Sequence, residues 1–281
     1  MTGPRGGDRG AGRVLVTGGS GAIGAATATA LHRAGVEVST LDVSAAGPAP
    51  HIRHVRCDVR DLDGMIEALA GADAVVHCGG LASDRPGREH DTFSVNVAGT
   101  CTLLQAAVRA GVHRVVYMSS INALGCVGGG RPEYLPVDDD HPHRPASAYQ
   151  ISKHLAEEAC RQFAGQHGLT TICLRPCYVT HPDAGPVSAR PAGPGPADLF
   201  AYLDIRDLTA AVQAALTAPL TGFHAFLLAA PEPWNGADPA RVAADYYPDT
   251  PWRHPASSLV DCRRAGNELG WTARHQRVAA P

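Results

Sequence analysis

The sequence predicts an α/β fold built on a doubly wound parallel sheet. Strand-sized apolar runs alternate with helical periodicity six times between Arg13 and Pro176. The first strand breaks into a glycine-rich turn that opens a helix, and the fifth delivers two serines at its carboxyl end, where parallel sheets bind ligands. With 281 residues, 44% of them hydrophobic, the chain can bury one large core and a small appendage. Formal charge is -3 with mixed signs and no basic run, which argues against a nucleic-acid partner. No apolar run has the length of a membrane span. Residues 1–12, MTGPRGGDRGAG, contain no apolar export core and read as a disordered tail on a cytoplasmic protein. The eight cysteines form no C-x-x-C pair and mostly sit within apolar patterns, as expected of free thiols in a reducing compartment without a zinc site.

Residues 13–35, RVLVTGGSGAIGAATATALHRAG, read as strand, turn and helix. Gly19, Gly21 and Gly24 satisfy G-x-G-x-x-G, while Gly18, Gly21 and Gly24 satisfy a variant with a three-residue gap. Glycine is required where the backbone turns sharply and a pyrophosphate meets a helix N-terminus with no side chain between. The second strand, VEVSTLD, ends in Asp42, eighteen residues after Gly24. An acid there hydrogen-bonds adenosine ribose hydroxyls and repels a 2′-phosphate, which favours NAD over NADP. The third strand, HIRHVRC, leads to Asp58 and Val59. Asp58 reads either as a contact to the adenine amine or as a cap for the next helix. ADAVVHC is a fourth strand, and the Gly79-Gly80 turn after it lets backbone pass close to a cofactor. Asn96 lies among apolar residues of the helix DTFSVNVAGTCTLLQAAVRAG, where a polar side chain usually bonds backbone. RVVYMSS, the fifth strand, carries Ser119 and Ser120. Beyond it, His141 and His143 beside Asp138, Asp139 and Asp140 read as a solvated acidic turn, because three adjacent carboxylates cannot all face one metal ion.

The segment Ser147–Phe163, SAYQISKHLAEEACRQF, is a helix that starts at Pro145 and Ser147 and ends at Gly165 and Gly168. It holds the protein's single lysine, Lys153, four residues after Tyr149 and therefore on the same helix face. A planar guanidinium cannot replace a compact ammonium that must sit beside a phenol and bond a sugar hydroxyl. LTTICLRP, the sixth strand, ends at Arg175-Pro176.

Taken together, TGGSGAIG, CDVRD, HCGG, NVAGT, YMSSINALG, YQISK, LRPCYV and YLDIRDLTAA resemble the extended short-chain dehydrogenase/reductase family, in its NAD-dependent epimerase/dehydratase branch. SLVDCRRAGNELGW is similar to that branch's short C-terminal helix. The resemblance implies a Rossmann NAD-binding domain over residues 13–176. A small C-terminal substrate-binding portion would follow over 177–281, with 201–230 packing back on the first domain. It implies that Tyr149 is the acid/base, that Lys153 favours the phenolate and bonds the nicotinamide ribose, and that Ser120 orients the substrate oxygen, with Ser119 the alternative. Contacts to NAD are implied at Gly18, Gly21, Ala22, Ile23, Gly24, Asp42, Asp58, Val59, Cys78, Gly79, Gly80, Asn96, Tyr149, Lys153 and Pro176. The activity implied is hydride transfer at a secondary alcohol or carbonyl of a small sugar-like substrate, as dehydrogenase or epimerase. The alternatives are a non-catalytic NAD(P)-sensing interaction protein, or a nucleotide-sugar dehydratase, which would want a carboxylate where Asn122 stands.

The chain departs from nucleotide-sugar enzymes at residues 181–198, a Pro- and Gly-rich loop with only Arg190. Arg206, Arg241, Arg263 and Arg264 are the remaining candidates for a phosphate or carboxylate. The helix from Thr92 to Ala110 and the central helix suggest a homodimer by analogy.

Overall fold

A computed structural model describes residues 12–84, 86–181 and 193–276. Nearly all of the N-terminal tail, and Arg190 with most of the 181–198 loop, lie outside the described residues. The strands are β1 (Arg13–Thr17), β2 (Glu37–Asp42), β3 (Arg53–Arg56), β4 (Ala74–His77), β5 (Arg114–Met118), β6 (Thr170–Pro176), β7 (Tyr178–Thr180), β8 (Tyr202–Asp204) and β9 (Phe223–Leu228). The helices are α1 (Ala22–Arg33), α2 (Leu62–Ala68), α3 (Glu89–Phe93), α4 (Gly99–Ala110), α5 (Ala148–His167), α6 (Ile205–Thr217), α7 (Pro239–Tyr246) and α8 (Arg263–Leu269). Seven strands form one sheet in the order β3-β2-β1-β4-β5-β6-β9, and every pairing is parallel. Chain order reverses between β1 and β4, which opens a crevice at their carboxyl ends.

Strand periodicity sorts the core into two layers. Val14, Val16, Val76, Val116, Ile172 and Leu174 face one side, where residues of α1, α6 and α8 complete the layer. Leu15, Val75, Val115, Tyr117 and Cys173 face the other, with residues of α2, α4 and α5. A third apolar cluster joins Leu124, Leu135 and Val137 to Phe200, Leu227, Val242 and Leu259. Backbone bridges from Leu135 to Trp252 and from Val137 to Val260 tie the segment before α5 to the C-terminal portion. The short pair β7 and β8 lies just beyond β6.

Four local readings of the sequence need correction. Gly165 does not end the central helix: α5 continues to His167, and Gly168 at φ 66° closes it. The long helix is interrupted by a π turn over Ser94–Ala98, which carries Asn96. Asp61, not Asp58, caps α2, accepting the N–H of Gly64 at 3.2 Å. The turn of three aspartates is not simply solvated, because Asp139 and His141 are buried beneath it. Among the described residues no group of three or more His, Cys, Asp or Glu side chains is placed to hold a metal, and no helix is long and apolar enough to cross a membrane. All eight cysteines are free thiols.

Two glycines give opposite expectations. A Cβ on Gly24 would lie 2.1 Å from the Gly18 carbonyl oxygen, a backbone clash that only movement of the turn relieves. Gly24→Ala should cost about 1–3 kcal/mol in urea unfolding. A Cβ on Gly165, inside α5, meets nothing within 4 Å. Gly165→Ala should therefore stabilise by about 0.5–1 kcal/mol.

Candidate active site

The crevice begins at the turn between β1 and α1. Gly18 stands at φ 69°, and a Cβ there would lie 2.7 Å from the carbonyl of Cys78, so this turn and the end of β4 touch through bare backbone. The Gly21 N–H donates to the Gly18 carbonyl at 3.0 Å, and no side chain caps α1. The first-turn amides at Ala22 and Ile23 thus lack intrahelical acceptors and open at a positive helix end, a receptor for an anion such as a pyrophosphate. Asp42 ends β2 beside this turn, with Oδ2 accepting the N–H of Ser20 at 3.2 Å and Oδ1 that of Ser44 at 3.0 Å. The glycine cradle followed by this carboxylate fits the phosphate and ribose portions of a dinucleotide.

Further along the crevice, Asp58 is clasped by Arg60, accepting its backbone N–H at 2.9 Å and its guanidinium at 2.9 and 2.6 Å. The side-chain hydrogen bond from Arg60 holds the Asp58 carboxyl below its ordinary range. Val59 is buried and wedged near Gly79 and Gly99, where added Cβ atoms would fall 3.0 and 2.7 Å from its methyls. Burial pushes the Cys78 thiol at the end of β4 up to about 12. The Gly79 N–H donates to Thr17 at 3.1 Å. A Cβ on Gly80 would meet Asn96 Oδ1 at 3.0 Å. The Asn96 amide is committed to protein: Oδ1 accepts the Leu81 N–H at 2.7 Å, and Nδ2 donates to the Leu81 carbonyl at 3.1 Å and the Ser152 hydroxyl at 3.0 Å. Its side chain therefore shapes the loop after β4 and holds it to α5. Pro176 ends β6 and pairs in register with Leu228 of β9.

The other end of the crevice is built by α5. Its start is fixed by a capping box between Ser147 and Gln150, and Gln150 also donates to the Val127 carbonyl at 2.8 Å. Asp84, in the loop after β4, accepts the Tyr149 N–H at 2.8 Å and so acts as a second cap. Lys153 is buried, with Nζ donating to the Met118 carbonyl at 2.8 Å and lying 4.9 Å from the ring centre of Tyr117 and 5.9 Å from that of Tyr149. Burial pushes the Tyr149 phenol up to about 12, against a hydrogen bond with Ser120 that favours the phenolate and with the Asp84 carboxylate adding to the rise. Burial also pulls the Lys153 ammonium down to about 8, partly offset by neighbouring acidic groups including Cys78 and Glu157.

The two serines part company. Ser120 is extended, at φ -167°, and its Oγ accepts the Asn122 backbone N–H and Nδ2, both at 3.2 Å, while facing Tyr149. Ser119 turns the other way and donates to Glu157 at 2.5 Å beneath the site. The cleft therefore brings together Tyr149, Lys153 and Ser120, and leaves Ser119 outside that group. Asp84 and Glu157 were missed from sequence. Glu157 carried a usable signal, since it lies one helical turn after Lys153; Asp84, far off in sequence, carried none. The C-terminal arginines pair with acids: Arg206 with Asp204 at 2.8 Å, Arg263 with Asp261 at 2.6 Å, Arg264 with Glu268 at 2.9 Å and Arg241 with Asp245 at 3.6 Å.

Comparison with known proteins places the chain in a family. Uronate dehydrogenase of Pseudomonas syringae pv. tomato is 29% identical over 165 residues, 58% of this chain and 58% of that protein. UDP-glucose 4-epimerase of Azospirillum brasilense is 34% identical over 171 residues, 58% of this chain and 48% of that one. The matched part thus spans about half to three-fifths of these relatives' length. Among solved structures, a short-chain dehydrogenase/reductase superfamily protein from Agrobacterium tumefaciens with bound NAD superposes at a TM-score of 0.75, with 27% identity over 94% of this chain and 93% of that one. The model of the NAD dependent epimerase/dehydratase family matches residues 14–191, and the chain belongs to that family.

Proposed function

We propose that the protein is an NAD-dependent oxidoreductase that transfers hydride at a secondary alcohol or carbonyl of a small sugar-like substrate, as a dehydrogenase or an epimerase. The observation that carries this reading is the convergence of the Tyr149 phenol, the protein's single ammonium and the Ser120 hydroxyl at one end of a glycine-lined crevice. NAD bound in that crevice supplies the hydride acceptor or donor. Its phosphates are assigned to the turn of Gly18, Gly21 and Gly24 with the amides of Ala22 and Ile23, and its adenosine ribose to Asp42. Asp58 and Val59 are assigned to the adenine side. Backbone at Cys78, Gly79, Gly80 and Pro176 is assigned to the rest of the cofactor's path, with Asn96 holding that path in shape.

Tyr149 then exchanges the proton. With the phenol raised to about 12 it rests as a proton donor, and a base function needs a cation beside it. Lys153 supplies that cation, and Ser120 orients the substrate oxygen against the phenol. Asn122 stands where a dehydratase would want a carboxylate, and its amide is bonded to Ser120, which favours the redox reading. Eight free thiols favour a reducing, cytoplasmic setting. A homodimer through α4 and α5 rests on analogy with the family.

Four measurements test this reading. A D-glucuronate, L-arabinose and UDP-glucose panel is incubated with NAD: NADH accumulation marks a net dehydrogenase, and product without NADH marks an epimerase. On whichever probe turns over, Tyr149→Phe should lower kcat by about 100-fold while NAD still binds; unchanged turnover would remove Tyr149 from the relay. For Asp42, losing a charge-assisted hydrogen bond worth ~1.5–3 kcal/mol predicts that Asp42→Ala weakens NAD binding by about 10- to 100-fold and narrows the gap to NADP. Tighter NADP than NAD binding by the unaltered protein would overturn the cofactor assignment. Light scattering at micromolar concentration should give a dimer mass.

A further inference from the structure

Beneath the relay lies an ion pair that the chemistry above does not use. Glu157 and Arg175 are both almost fully buried, at 3% and 2% side-chain exposure. Glu157 Oε1 accepts from Arg175 Nε at 2.9 Å and Oε2 from Arg175 Nη2 at 2.7 Å, a two-pronged pair between α5 and β6. Replacing such a pair by apolar residues of similar size is often neutral or stabilising, so its location needs a reason other than stability. A further contact of Glu157 supplies one. Glu157 Oε1 also takes the hydrogen bond from Ser119 Oγ at 2.5 Å, at the carboxyl end of β5. Successive residues of an extended backbone point to opposite sides, so Ser119 drawn down to Glu157 leaves Ser120 directed at Tyr149.

We propose that Glu157, held by Arg175, is a positioning residue for the relay: through Ser119 it presents Ser120 to Tyr149, and it places a negative charge one helical turn below Lys153. The inference rests on the function proposed above. The charged and titratable groups around Glu157 and Arg175 come from four parts of the chain. Arg175 and Cys173 lie on β6, Tyr117 on β5, and Lys153 on its own helix, while Asp139 and His143 approach from the segment before α5. Asp139 lies 3.6 Å from Arg175, and one of its oxygens accepts the Leu227 N–H at 2.7 Å while the other is buried without a partner. Burial raises Asp139 to about 7 and lowers His143 to about 4. Between about pH 4 and pH 7, then, Asp139 is largely protonated and His143 largely neutral. Glu157, gripped by the Arg175 guanidinium at both oxygens, lies one helical turn from Lys153.

The single lysine makes the test direct. Lysine labelled with carbon-13 at Cε gives one side-chain signal, and its pH titration reports Lys153 without any substrate. Removing a nearby negative charge disfavours the protonated amine, so Glu157→Gln should move the titration to lower pH. Ser119→Ala keeps the ion pair and should leave the titration in place. On the probe substrate that turns over, both variants should lower kcat by about 10-fold or more with the NAD Kd changed less than twofold. A Glu157→Gln titration that overlays the unaltered protein would overturn the electrostatic part. Full kcat in Ser119→Ala, whose fold is not at risk from a bare buried charge, would overturn the positioning part. An active Tyr149→Phe would instead sink the function proposed above, and the lysine titration would still decide the charge below Lys153.

Discussion

Burying one ammonium organises this active site. Taking Lys153 out of water costs several kcal/mol unless polar partners replace the solvent. The partners are the last carbonyl of β5, two aromatic faces and the carboxylate one turn further along α5. Each belongs to a rigid element, so the cation fixes how α5 lies against β5. That fit demands a firmly started helix, which explains why its first turn is over-determined. Ser147, Gln150 and Asp84 all bond its opening amides, and Gln150 reaches across to the Val127 carbonyl as well. A helix free to fray there would release Tyr149 first.

The opposite wall of the crevice works by subtraction. At Gly18 and Gly24 the turn, the helix and the end of β4 approach so closely that a single methyl would collide with backbone. At these glycines no side chain contributes; the first-turn amides supply a partial positive end, because α1 has no side-chain cap. One wall thus offers a diffuse positive end suited to phosphate, and the other a discrete cation suited to a phenol.

Much of this was readable from the sequence because local rules agree with the final structure. Strand alternation, the glycine spacing and the Tyr149 to Lys153 interval are short-range signals, each confined to a few neighbouring residues. What escaped depends on contacts between distant segments. Asp139 sits in a run of three aspartates that looks solvated, yet Arg175 of β6 and an amide of β9 draw it inside. Gly165 looks like a helix stop, but apolar packing of α5 on the sheet carries the helix through it. The choice between Ser119 and Ser120 depends on Glu157, whose partner Arg175 lies on another strand. The edge strand β9 follows α6 after a short connection, and its pairing with β6 places it in the sheet.

The arginines explain why one lysine suffices. Three times the chain uses the order Asp-x-Arg: Asp58 with Arg60, Asp204 with Arg206, and Asp261 with Arg263. In each, the aspartate accepts the arginine's own backbone N–H at 2.8–2.9 Å and its guanidinium at 2.6–2.9 Å. The guanidinium fork suits this clasp, since a donor pair in fixed geometry can bridge one carboxylate while the backbone closes the loop. A cation so engaged is neutralised locally and contributes little field at a distance. Lys153 has no acid within two residues and takes no such clasp, so its charge remains available to the phenol beside it. The same clasp leaves Asp58 with spare lone-pair capacity on Oδ2, because a carboxylate has about four acceptor sites and Arg60 fills three. An exocyclic amine can therefore approach Asp58 without breaking the pair.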